Sequence, residues 1–404
     1  MPGPVYLDHA ATSPLRESAL EAYARAAGVA GNASAGHAAG RAARRVVEDA
    51  RESVAASLGC EPAEVVLTAG GTESDNLGVV GLHRARRAQE PTRCRVLVSA
   101  VEHPAVAAAA DALAATDDAV VERIGVDHRG AVDVLALEAA LGADPGHVSM
   151  VACMWANNEV GTVQPIADVV AAAHTHGVPV HVDAVQAVPG LAVDLAALGA
   201  DTVAVSGHKV GGPVRSGALV VRRGTVVSAL LHGGGQERGL RPGTLDPAAS
   251  AAFAAALAET VADRPVEAPR LAGLRDRLLA GVVERVPTAL VTVPGGDRLP
   301  GIAHLTFPGC DGESLQFLLD SRGIAASAAS ACSAGVLRPS AVLLTMGVPA
   351  DRARTSVRFS FGHTSTEADV DAVLEAVAQV AADARGVAQA MAGAPGGPVP
   401  ATVA

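Results

Sequence analysis

Aromatic side chains make up only 2% of the 404 residues. Half of the chain is hydrophobic, but mostly as Ala and Val, and no apolar run approaches the roughly 20 residues that a bilayer-spanning helix needs. The longest candidate is residues 247–258. Basic charge is scarce too: 31 Lys and Arg stand against 42 Asp and Glu, for a formal net charge of −11. The basic residues are scattered, which argues against a nucleic-acid groove or an anionic membrane surface as a direct partner and favours small molecules or basic protein patches. Cysteine is limited to Cys60, Cys94, Cys153, Cys310 and Cys332, an odd number, widely spaced and without C-x-x-C. That pattern indicates neither a disulfide framework nor an intrinsic metal site, and it leaves a thiol available for chemistry. Residues 1–13 show no basic n-region or apolar h-region, so a cytoplasmic protein is expected.

What the chain does have is alternation. From about residue 60 to 260 short apolar runs alternate with helical patterns, the signature of an α/β fold with a mostly parallel sheet covered by helices. Strands are expected at residues 65–68, 96–99, 148–154, 178–182, 202–205 and 218–221, and an amphipathic helix over 37–58. Beyond Pro265 the pattern changes to a long helix (270–285), strand-like pieces (289–293 and 301–307), a helix over 313–322 and a last one from Glu367 to about Ala384. The expected domains are a large α/β domain over 14–262 and a smaller α+β domain built from 1–13 and 263–385. Residues 386–404, rich in Ala, Gly and Pro, form an expected disordered tail.

Ligands of open α/β sheets bind beyond the carboxyl ends of the strands. Five expected strand exits here carry reactive or polar groups: Thr72 and Glu73; Glu102 and His103; Asn157, Asn158 and Glu159; Asp183 and Gln186; and Ser206 to Lys209. Lys209 stands where an apolar run gives way to a glycine turn. A poorly hydrated lysine there can lose its proton and attack a carbonyl. Asp183 ends the preceding run, where a buried carboxylate needs a partner, and a protonated pyridine nitrogen is one. Together they suggest pyridoxal-phosphate chemistry on amino acids.

Other features weigh differently alone and together. Gly70-Gly71-Thr72 opens a helix after a strand, which by itself is explained by a Thr cap and turning glycines; with Ser206 and His208 converging it fits a phosphate. His103, before Pro104, is by itself a capping residue, but its imidazole could also stack on a ring and relay protons. Cys332 lies in a run of small residues that cannot anchor a core, so it reads as a loop thiol rather than the usual buried one. Arg358 alternates with Val357 and Phe359 as on a strand; it is either an outer-face or salt-bridged arginine or a clamp for a carboxylate. The polar, glycine-rich stretch over 231–244 suggests a site or a subunit contact.

Taken together these residues resemble the cysteine desulfurases of the NifS/IscS type, within the fold type I pyridoxal-phosphate enzymes. The resemblance runs from Tyr6-Leu-Asp-His-Ala-Ala-Thr12 through Gly31-Asn32, Thr72-Glu-Ser-Asp-Asn76, Glu102-His103, Asn157-Asn-Glu-Val-Gly161, Asp183-Ala-Val-Gln186, Ser206-Gly-His-Lys209, His232-Gly-Gly-Gly-Gln-Glu-Arg238 and Arg241-Pro-Gly-Thr244, ending at Ser330-Ala-Cys332 and Arg358-Phe-Ser360. It implies pyridoxal 5'-phosphate bound covalently to Lys209, with His103 stacked on the ring, Asp183 on the ring nitrogen, and Asn158 and Gln186 at the ring hydroxyl. Gly71, Thr72, Ser206 and His208 would hold the phosphate, with Thr244 reaching the phosphate of the other subunit in a homodimer. Arg358 with Asn32 would hold the carboxylate of L-cysteine. Cys332 would take the sulfur as a persulfide and pass it to an acceptor protein for iron-sulfur cluster assembly or tRNA thiolation, with transient iron-sulfur ligation by Cys332 a further implication. The segment through Arg338-Pro339-Ser340 resembles the long-loop subgroup. The chain departs from the family pattern at Ala33, Val214 and Ala329, where Pro, Lys and Gly are usual, and its tail does not resemble the segment that docks an iron-sulfur scaffold. Rival readings are a selenocysteine lyase, a cysteine sulfinate desulfinase or another enzyme of the same fold, and a non-catalytic sulfur carrier or assembly subunit.

Overall fold

The computed structural model describes residues 4–328 and 339–393. Seven strands form the main sheet in the spatial order Val65–Thr68, Gly217–Val221, Thr202–Ser206, Val180–Asp183, Val148–Ala152, Arg95–Ser99, Val120–Ile124. Only Gly217–Val221 runs against its neighbours; the rest are mutually parallel. The five strands from Val65–Thr68 to Val148–Ala152 in that order are buried along their whole length because helices cover both faces, which is why they read as continuous Val- and Ala-rich runs. Separate apolar clusters pack on the two faces, one including Val47, Val54 and Leu58 of the helix Ala38–Leu58, the other Leu77 and Leu82 of the helix Gly71–Gln89.

Val120–Ile124 was not among the expected strands. It is the sheet edge, with Val120 and Arg123 exposed, and its Val-Val-Glu-Arg-Ile sequence carries the charges that keep an edge from pairing further.

A second, antiparallel sheet has the order Ser327–Ala328, Ser356–Ser360, Ile302–Thr306, Leu290–Val291, and Val5–Tyr6 pairs in parallel with Ile324–Ala325. Its core gathers Leu7, Leu305, Phe307, Phe359 and Val373. One helix, Pro247–Arg285, joins the two bodies over 39 residues, with Ala252, Phe253 and Leu257 in the first core and Leu271, Leu274 and Leu278 in the second. The helix expected to begin at Arg270 is therefore only its second half. Pro265 and Pro269 lie inside it but on the exposed side, one turn apart, where the carbonyls they leave without a donor can turn to water. The last helix, expected to close near Ala384, continues to Gly393, since Ala, Gln and Met sustain a helix and the Pro-rich sequence begins only beyond it.

Candidate active site

Thr68 and Ser206 end strands on either side of Gly217, and the turns that follow them meet. Gly70, at φ +124°, lets the chain reverse between strand and helix, and Gly71 then opens the 19-residue helix whose first N–H groups have no partner within the helix. A Cβ on Gly70 would stand 3.7 Å from Ser206 Oγ, and that hydroxyl is buried with no hydrogen-bond partner among the described residues. An orphaned hydroxyl, a helix N-terminus, Thr72 and His208 thus border one cleft. Burial and the neighbouring Lys209 push the His208 imidazole down to about 4, so it is neutral at pH 7, with Nδ1 3.2 Å from Thr12 Oγ1. This donor set suits a phosphate ester.

At the other end of the cleft stands Asp183, 6% exposed. Its Oδ1 accepts from the Val185 N–H at 2.9 Å, and burial, then Asp75, raises its carboxyl to about 7. Lys209, in the single turn Gly207–Lys209, donates from Nζ to the carbonyls of Ala10 at 2.5 Å and Ala11 at 3.0 Å. It is the only lysine of the chain; every other basic residue among the 31 is arginine. His103 both caps and faces the cleft: Nδ1 accepts from the Ala105 N–H at 3.1 Å, and burial, then Lys209, lowers its imidazole to about 4. Gln186 lines the cleft and uses Nε2 to hold the Ala10 carbonyl at 2.8 Å.

Arg358, on Ser356–Ser360, is buried rather than on an outer face. Its guanidinium joins the two sheets' bodies, donating Nη1 to the Asn158 carbonyl at 2.8 Å and Nη2 to Asp8 Oδ1 at 2.8 Å and Ser327 Oγ at 3.1 Å. The salt bridge and the cleft position thus coexist, and Nε, buried, has no partner among the described residues. Nearby, the carboxyl of Glu159 is raised by burial and accepts from Ser340 Oγ at 2.5 Å.

The cleft, about 490 Å³, brings together Gly71, Thr72, His103, Asn158, Asp183, Gln186, Ser206, His208, Lys209 and Arg358. It does not include Asn32 or Thr244, both exposed, and Cys332 lies outside the described residues. Sequence reasoning gave no role to Asp8 or Asp75, which the structure places on Arg358 and against Asp183; Asp75 sits one helical turn beyond Thr72, a spacing that puts both on one side of the helix. The segment over 231–244 has a structural anchor: Glu237, buried, accepts the Leu67 N–H at 2.7 Å and both terminal nitrogens of Arg51. Arg241 pairs with Glu73 at 2.9 Å.

Residues 5–373 match the family described as Aminotransferase class-V. The chain belongs to this family. Among class-V aminotransferase relatives, an IscS-like cysteine desulfurase of Mycobacterium tuberculosis is 48% identical over 392 residues, covering 96% of this chain and 99% of that one. Cysteine desulfurase NifS of Azotobacter vinelandii is 37% identical over 385 residues, covering 95% and 94%. Of solved structures, a NifS-like protein superposes with a TM-score of 0.86 at 31% identity, over 94% of this chain and all of the other. DndA from Streptomyces lividans gives 0.74 at 32%, over 88% and 99%. The fold is therefore that of the NifS-like, fold type I enzymes. Among the described residues no helix is long and apolar enough to cross a membrane.

Proposed function

We propose that the protein is a pyridoxal-phosphate-dependent cysteine desulfurase that converts L-cysteine to L-alanine, takes the sulfur onto Cys332 and hands it to an acceptor protein. The observation that carries this reading is the pairing, in one cleft, of a buried, unpartnered Ser206 hydroxyl at a helix N-terminus with a lysine and a buried aspartate. The relatives' activity supports the choice of substrate.

The residues fit the cofactor. Gly71, Thr72, Ser206 and His208 would hold its phosphate, Asp183 its ring nitrogen, His103 its ring face, Asn158 and Gln186 its ring hydroxyl, and Lys209 Nζ its aldehyde carbon. Pyridoxal phosphate supplies an electron sink for the pair released when a bond to the substrate's α-carbon breaks. Asp183 would hold a proton on the ring nitrogen. Arg358, anchored by Asp8 and Ser327, presents positive charge to the carboxylate of the amino acid, with Asn32 as a second contact. Lys209 Nζ would take and return the α-proton of the substrate. The net change balances without an external oxidant: L-cysteine and the Cys332 thiol become L-alanine and a Cys332 persulfide. A homodimer in which Thr244 reaches the partner's phosphate would complete the cradle.

Because Lys209 is the only lysine, borohydride reduction of the yellow holoprotein has a single side-chain amine to label. Peptide mass spectrometry is expected to find the pyridoxyl group on Lys209. A holoprotein that stays unmodified contradicts the proposal.

A further inference from the structure

Behind Asp183 the structure buries more acid than the cofactor can use. Asp75 is 1% exposed on the helix Gly71–Gln89, and its carboxyl oxygen, an Asp183 oxygen and a His103 nitrogen lie within 4.8 Å of one another. Glu102, 8% exposed, accepts the Met154 N–H through Oε1 at 2.7 Å and leaves Oε2 without a partner among the described residues. Two carboxylates this close in a dry site cannot both ionise at small cost. On its other side Asp75 Oδ1 is 3.2 Å from His181 Nε2, and His181 Nδ1 is 2.9 Å from Thr202 Oγ1. His181 and Asp183 share one strand two residues apart, so both face the same helix. Gly78 makes the approach possible: a Cβ there would meet His181 Nδ1 at 2.2 Å. All of Asp75, His181 and Thr202 are at most 1% exposed, so the three are sealed from bulk solvent.

We propose that Asp75 is a positioning residue that stays a neutral acid, donating its proton to His181 Nε2 while His181 Nδ1–H donates to Thr202 Oγ1, so that Asp183 alone is ionised toward the cofactor. The groups facing this chain are Asp183 and His181 on the strand, Glu102 and His103 on the loop after Arg95–Ser99, and His208 and Lys209 on the turn after Ser206. Burial raises the Asp75 carboxyl far above the usual carboxylate range and lowers His181 to about 4, in keeping with two neutral partners. The inference rests on the pyridoxal-phosphate reading of Asp183.

The test is infrared spectroscopy of holoprotein made with carbon-13 at the aspartate side-chain carboxyl. The label moves aspartate carbonyl bands and leaves those of Glu102 and Glu159 in place. At neutral pH one label-sensitive band of a protonated acid is expected, absent in Asp75→Asn, or in Asp75→Ser should the first variant not fold. Fluorescence titration with pyridoxal phosphate is expected to give Asp75→Asn an affinity within about threefold of wild type, since a neutral amide replaces a neutral acid, whereas loss of a carboxylate beside the pyridinium would cost roughly tenfold per pKa unit of interaction. No label-sensitive acid band, a band that survives both Asp75 substitutions, or a tenfold weaker affinity in Asp75→Asn would overturn the proposal. A wild-type protein that bound no pyridoxal phosphate would instead sink the function proposed above, and the band, read without cofactor well above pH 7 where Asp183 is ionised, would still decide for or against Asp75.

Discussion

The roles proposed for Lys209 and Asp183 both make measurable predictions. Lys209→Ala is expected to lose the covalently bound chromophore and at least a thousandfold of L-cysteine turnover, as removal of a covalent catalyst does; absorption spectroscopy and alanine release check both. Asp183 has a raised carboxyl in the folded protein, about 7 against 3.8 unperturbed. A raised folded value means that its contribution to stability is full below about 4 and is lost as pH rises through about 7. The cofactor-free protein is therefore expected to lose stability from Asp183 as pH rises through that window, and Asp183→Asn is expected to flatten that part of the profile of melting temperature against pH. His103, lowered to about 4, works in the opposite sense: its contribution is full above its ordinary 6.5 and fades as pH falls toward 4. Residue types at the strand exits made both side chains legible in the sequence. Asp75 was not, because a buried acid one turn along a helix looks like any polar residue of an amphipathic face until its partner His181 is seen in three dimensions.

The elements explain how those side chains come to meet. Buried parallel strands were easy to read because they are apolar on both faces, whereas Val120–Ile124, an edge with Glu122 and Arg123, carries no such run. Pro265 and Pro269 disguised the joining helix, since a proline normally marks a break; its exposed side tolerates them. The contact of the helix Gly71–Gln89 with the strand Val180–Asp183 depends on Gly78, and Gly78→Ala is expected to cost roughly 1–3 kcal/mol through overpacking against His181. Urea denaturation should show a lower midpoint at unchanged slope. Arg51→Ala would leave Glu237 buried without its cation and is expected to destabilise the protein by about 3 kcal/mol, freeing the turn over 231–244 from Leu67; an unchanged midpoint would show that this turn is held by something else.

For the whole molecule, two packed bodies joined by one long helix enclose a cleft that takes Asp183 and Lys209 from one and Arg358 from the other. Most of the candidate site was visible as motifs, but Asn32 and Thr244 stay exposed in a single chain, and no sequence pattern shows how a second copy would cover them. As a homodimer the protein is expected to sediment at twice its 40.2 kDa, with Thr244→Ala weakening pyridoxal phosphate severalfold while leaving the dimer intact. The central claim is that sulfur leaves L-cysteine for Cys332. Its most direct measurement is a single turnover of the holoprotein with L-cysteine and no reductant, followed by quantification of alanine and mass spectrometry of the peptide that contains Cys332. One alanine per subunit and one added sulfur on Cys332 are expected, with neither in Cys332→Ser. Alanine formed by Cys332→Ser at the wild-type rate would contradict the account.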